Sequence, residues 1–229
     1  MPSLNKILLF LSSALATAIS VLVLGFSMSI QWVETTMDCT SSGSSFSNGS
    51  AVVTLSLFDG TMTRIHCPFF GGQDDFEVFP QLAGIGGTPL VLHGLVVCVL
   101  VLCLLFSACS ILISLYNSVS NPYETYMGPI GVYVCSSLSA SFSVVVLLIF
   151  AVNVNNVAED LVQTYTGNIV ADVRNKSSEL YLGYYLVLLY TGLSLIAIVL
   201  IYVYEHAAYT HRREQQRPTE DAPKEIMMY

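Results

Sequence analysis

The sequence predicts an all-α membrane fold: a four-helix transmembrane bundle with a small extracellular β-hairpin or sheet. Three observations predict it. The composition is that of a chain living in lipid, four long runs carry no charge, and one polar insert between them is rich in strand formers. Of 229 residues, 54% are hydrophobic and only 10% charged, and the mean hydropathy is +0.66. An average soluble domain carries about a quarter charged residues. A soluble core of this size would have too few charges to coat its surface. The 16 acids against 8 bases also exclude a nucleic-acid partner, which needs a basic footprint.

Residues 1–6 form a short N-terminus, and residues 7–30 the first span. A helix of that length reaches about 36 Å at about 1.5 Å per residue, enough to cross a bilayer. The competing reading is a cleaved signal peptide, because Lys6 precedes the run and Ala14-Leu15-Ala16 is a small-residue pattern. Against it, the apolar run continues about 14 residues past that site, whereas a signal core is about 7–15 long. Residues 90–115, 130–152 and 180–204 pass the same length test as spans two, three and four. Between spans two and three, residues 116–129 make a tight turn. Asn121-Pro122 and Gly128-Pro129 are turn dipeptides, and Glu124 is the only charge between Glu77 and Glu159. Spans two and three therefore form an antiparallel hairpin.

Basic residues crowd the tail, residues 205–229 (Arg212, Arg213, Arg217, Lys224), and Lys6 precedes span one. That asymmetry places both termini of a multi-pass membrane protein in the cytoplasm. Two N-glycosylation sequons agree: Asn48 lies between spans one and two and Asn175 between spans three and four, on one predicted extracellular face.

The first outer loop, residues 31–89, is too long for a simple connection. Residues 51–58 read as a strand, Asp59-Gly60 as a two-residue turn, and residues 61–66 as the returning strand. An isolated hairpin is marginal in water. Cys39 and Cys67, the cysteines outside the spans, are the candidate staple, with two free thiols as the alternative. Residues 69–87, with Asp74, Asp75 and Glu77, read as a solvated loop. In the second outer loop, residues 153–179, Val157, Leu161 and Tyr165 stand at helical spacing, so span three is expected to continue outward as helix.

Small residues at contact spacing suit close helix packing: Ser110/Ser114, Ser136/Ala140, Ser137/Ser141, Ser139/Ser143, Ala14/Ala18 and Gly25/Ser29. They predict packing within the bundle, with a homo-oligomer as the alternative. Cys98, Cys103 and Cys109 read as small buried apolar groups, and Cys135 as a minor candidate for palmitoylation. Tyrosines at both ends of span four (Tyr181, Tyr184, Tyr185; Tyr202, Tyr204) suit interfacial belts.

No reactive constellation is evident. The spans contain no Asp, Glu, Lys or Arg, on which ion pathways and proton relays depend. His93 stands alone near the outer end of span two and reads as a helix contact. The His66-Cys67 pair has no second pair to complete a zinc site. No catalytic residue, cofactor, metal or small-molecule substrate is expected; the expected partners are the lipid bilayer and other membrane or scaffold proteins. The carboxyl terminus Met227-Met228-Tyr229 is a candidate ligand for a PDZ groove.

The run YNSVSNPYETYMGPIGVY at 116–133, the opening MPS, the segment WVETTMDC at 32–39, the element Leu57-Phe58-Asp59-Gly60 and the final Met-Met-Tyr together resemble the clarins. These are small four-span glycoproteins related to claudins and the peripheral myelin protein. The tail and the turn together look most like one branch of that family. The resemblance maps the family turn motif onto Asn121, Pro122, Tyr123, Glu124, Thr125, Gly128, Pro129, Gly131 and Tyr133. Trp32 matches a superfamily tryptophan after span one. The superfamily's Gly-Leu-Trp element reads Ser56-Leu57-Phe58 here, and only Cys67 follows it. The Cys39–Cys67 pairing therefore does not carry over and rests on proximity alone. The resemblance implies a left-handed bundle with an extracellular sheet. It also implies a non-enzymatic role in organising plasma-membrane assemblies, in sensory cells and synapses for other clarins. The alternative is a claudin-like adhesion or paracellular barrier protein.

Overall fold

The computed structural model describes residues 4–41, 49–65, 71–119, 128–165 and 170–215. The charge-free runs are helices: α1 (Leu4–Met28), α3 (Gly87–Val119), α4 (Gly128–Tyr165) and α5 (Leu182–Gln215). All four are long and apolar enough to cross a membrane. Each packs on two others, α1 on α3 and α5, and α4 on α3 and α5, so the bundle closes as a square. Crossing a bilayer takes about 20 helical residues. With 33, 38 and 34 residues, α3, α4 and α5 exceed that and project beyond it.

At one end of the bundle stands a five-stranded antiparallel sheet of order β4-β3-β2-β1-β5, made of β1 (Val33–Ser41), β2 (Gly49–Leu55), β3 (Asp59–Ile65), β4 (Gly72–Glu77) and β5 (Val170–Leu180). The expected hairpin is present as β2–β3, with its turn moved. Leu55 pairs with Gly60, and the amide of Ser56 donates to the carbonyl of Asp59 at 2.9 Å. Residues 56–58 thus form the connection, while Asp59 and Gly60 belong to β3. Packing decides this. Leu57 is fully buried, and a Cβ on Gly60 would come within 2.5 Å of the Phe76 ring. The glycine makes room for an aromatic ring rather than for a turn.

The stretch expected to be a solvated loop is ordered as β4 followed by α2 (Val78–Ile85). Phe76 points inward between exposed acids, and α2 buries Val78 and Leu82. Charges on β4 suit an edge strand, where they discourage pairing with other chains. In the second loop α4 runs on to Tyr165, and its last turns bury Val154, Val157, Ala158, Leu161 and Val162 in one core with Met37, Val53, Leu55 and Met62 of the sheet. The chain then returns as β5 along β1. A separate small cluster of Phe10, Val132 and Ile201 closes the opposite end.

Small residues at contact spacing divide between two surroundings. Ser110, Ser114, Ser136, Ser139, Ala140, Ser143 and Ala14 are buried, whereas Ser137, Ser141, Gly25 and Ser29 are exposed on the bundle exterior. The cysteines also divide: Cys103 is buried, Cys98 and Cys109 are exposed, and Cys135 is half-buried. The burial expected for Cys98 and Cys109 is therefore corrected. On a membrane helix an apolar thiol costs nothing facing lipid, so hydropathy alone cannot assign its side.

Candidate functional site

The attachment of the sheet to the bundle is built around Trp32. Four residues, Ser29 to Trp32, link α1 to β1, and the last of them, Trp32, is fully buried. Its indole Nε1 donates to the carbonyl of Ser27 at 2.8 Å, and its backbone N–H donates to Leu55 at 2.9 Å. Its ring meets Phe150 of α4 edge-on, with centroids 4.8 Å apart. The amide of Tyr181, between β5 and α5, donates to the Trp32 carbonyl at 2.9 Å. One residue thus ties α1, β2, α4 and the start of α5 together.

Gly183 completes this knot. Its amide donates to the carbonyl of Gln31 at 3.0 Å, and its carbonyl accepts from Ser27 Oγ at 2.7 Å. A Cβ there would lie 2.5 Å from Trp32 Cδ1 and 2.6 Å from the Gln31 oxygen. Backbone on one side cannot yield, so only glycine fits. On the other flank, His93 of α3 is 3% exposed, with Nε2 2.8 Å from the carbonyl of Leu57 and its ring edge-on to Phe79. The histidine clamps the β2–β3 connection onto the bundle. Reading His93 as a helix contact misses this partner, which lies 36 positions away.

The outward sheet face is polar. Glu34, Thr54, Thr61 and Asp75 stand directly opposite one another across four strands and so share one face. Tyr181 Oη donates to Glu34 at 3.0 Å, and that bond, with the carboxylate's charge, raises the phenol above its ordinary value of 10.0. Arg64 pairs with Asp74 across β3–β4, and Lys176 with Glu159. Among the described residues, no three His, Cys, Asp or Glu side chains gather where a metal could sit.

Asn175 is exposed on β5. Thr36 pairs with Ser177 and Asp38 with Arg174, so Asn175 and Lys176 together oppose Met37. This is a β-bulge, and Asn175 takes the left-handed conformation there, φ 52°, which asparagine tolerates better than most residues. Its Nδ2 donates to Asp38 at 3.0 Å. Cys39 is buried on β1, at 2% exposure.

A family model described as Clarin-2-like matches residues 4–174. Clarin-3 of Mus musculus is 33% identical over the full length of both chains, and Clarin-3 of Homo sapiens 32%. Clarin-1 of Mus musculus is 24% identical over 64% of this chain and 66% of its own. The chain belongs to the clarin family. Within this clarin, Gly128, Pro129, Gly131 and Tyr133 of the family turn motif form the first two turns of α4, and Gly128 opens the helix at φ 32°. Asn121, Pro122, Tyr123, Glu124 and Thr125 lie outside the described residues, as do Cys67, Asn48 and Met227, Met228 and Tyr229. Sequence reasoning flagged Trp32 as a family residue but missed Ser27, Gly183 and β5, whose short-range sequence carries no signal of the distant groups they meet.

Proposed function

We propose that this clarin is a non-enzymatic glycoprotein that organises protein assemblies in the plasma membrane, presenting its sheet outside the cell and both termini to the cytoplasm. The observation that carries the reading is the Trp32 knot. It ties the five-stranded sheet to α1, α4 and the start of α5, which makes a platform for display rather than a cleft for chemistry. Asn175 supports the orientation, because a sequon asparagine turned out on a bulged edge strand is open to glycosylation. A glycan there would also cover the β5 edge against unwanted pairing. Cys98, Cys103, Cys109 and Cys135 are free, which leaves Cys39 and Cys67 as the two cysteines for a bridge. Such a bridge would contribute about 3–4 kcal/mol. The tail, with Met227-Met228-Tyr229, would engage a PDZ scaffold inside the cell, and the sensory-cell setting of the family is where to look for it.

The sheet-bearing segments 31–89 and 153–181 hold ten of the 16 acids and three of the 8 bases. Two such surfaces repel each other, which counts against adhesion between like copies across a junction. The test is direct. Endoglycosidase should shift the wild-type protein on a gel, and each of N48Q and N175Q should remove one step. Unshifted protein with surface-accessible terminal tags would overturn the topology. Proximity labelling with and without Met227–Tyr229 should lose intracellular scaffold neighbours in the truncated form, and an unchanged neighbour set would sink the PDZ role.

A further inference from the structure

A cavity of about 530 Å³ opens where the polar sheet face meets the bundle, between the α1–β1 link, the β2–β3 hairpin and the start of α5. Its floor is Ile30 and Leu182, residues just beyond the end of the first span at Met28 and at the start of the fourth at Leu182. The opening therefore lies at the level of lipid headgroups. Its upper wall carries Gln31, Thr54, Ser56, Asp59 and Thr61. Among the described residues, none of these five side chains makes an ion pair or a hydrogen bond with protein. A carboxylate, three hydroxyls and an amide thus stand unused around one space, and no lysine or arginine lines it.

We infer that this cavity binds the headgroup of a zwitterionic amine phospholipid. The charges decide the class. One carboxylate, Asp59, is the complement of a single ammonium or choline group. The hydroxyls of Thr54, Ser56 and Thr61 and the Gln31 amide are neutral donors, able to hold phosphate oxygens whose charge the lipid itself balances. An anionic lipid would bring uncompensated charge against Asp59, with Glu34 and Asp75 on the same sheet face beyond it. Below the opening, Leu22 and Phe26 of α1 and Leu182 and Tyr185 of α5 are exposed along two packed helices. They offer the acyl chains exposed apolar surface, and Leu182 also lines the cavity. The volume falls in the range of small-molecule sites, about 300–1,000 Å³. The inference does not depend on which side of the membrane the sheet faces.

The test uses full-length protein reconstituted in vesicles of equimolar phosphatidylcholine and phosphatidylglycerol with matched chains, then extracted gently for native mass spectrometry of retained lipid. Wild type should retain phosphatidylcholine preferentially. D59N should lower that preference about fivefold, the upper end for one solvent-exposed ion pair, and D59K should invert it towards phosphatidylglycerol. D75N, on the same face outside the cavity lining, should leave it unchanged. Fluorescence of the single tryptophan, Trp32, checks that each variant is folded. Unchanged lipid preference in folded D59N and D59K would overturn the proposal. An equal shift in D75N would also overturn it, because the effect would then belong to the charge of the whole face.

Discussion

The bundle and the sheet of this clarin are built on opposite interiors. Between the helices the buried stripe is rich in hydroxyls: Ser13, Thr17, Ser20, Ser107, Ser110, Ser114, Ser136, Ser139, Ser143 and Ser194. Leucines, valines and isoleucines of the same helices face outward. Beneath the sheet the order is reversed, with Trp32, Met37, Val53, Leu55, Met62 and Leu82 inside and acids and threonines outside. The solvent explains both. Water drives apolar groups together at the sheet. In lipid that drive is absent, and helices associate through close packing and hydrogen bonds. Ser107 with Tyr190 at 2.7 Å, Ser110 with Ser136 at 3.0 Å and Ser143 with Thr191 at 2.7 Å supply those bonds.

The contrast can be broken most severely at the join. Trp32→Ala should cost about 3–5 kcal/mol, the range for truncating a large buried aromatic, and should loosen the sheet before the bundle. Limited proteolysis of the sheet segments, compared with retained helical circular dichroism, checks this order; simultaneous loss of both would deny the knot its role. Within the sheet, Leu55→Ala should lower stability by about 2–5 kcal/mol through cavity formation, read as a drop in the thermal midpoint in micelles. Gly183→Ala at the knot should cost about 1–3 kcal/mol, because the added methyl meets backbone.

Ser110→Ala sharpens the comparison from the other side. It removes an interhelical hydrogen bond worth only about 0.6 kcal/mol in lipid, so its midpoint should move far less than that of Leu55→Ala. Equal losses would mean the two interiors obey the same energetics. The smallest effect concerns pH. Because Tyr181 has a raised pKa in the folded state, its contribution is complete below pH about 10 and is lost as pH rises through the folded value. Tyr181→Phe should flatten that alkaline limb, and an unaltered limb would exclude the Glu34 bond as its origin.

Residue chemistry alone determined the four spans, because twenty or more uncharged residues in a row leave a chain few places but lipid. It also determined the β2–β3 pair, through local strand propensity and a short return, and the helical continuation towards Tyr165, through the spacing of Val157 and Leu161. Tertiary structure decided the rest. The turn moved from Asp59-Gly60 to residues 56–58 because Phe76, far along the chain, needed the space above Gly60. The segment at β4 became a strand only by pairing with β3, and β5 only by pairing with β1, 129 to 147 positions away. The join of Ser27, Trp32 and Gly183 was hidden for the same reason. Periodicity reports which side of an element faces inward; which distant backbone will lie against it is settled only when the chain has closed.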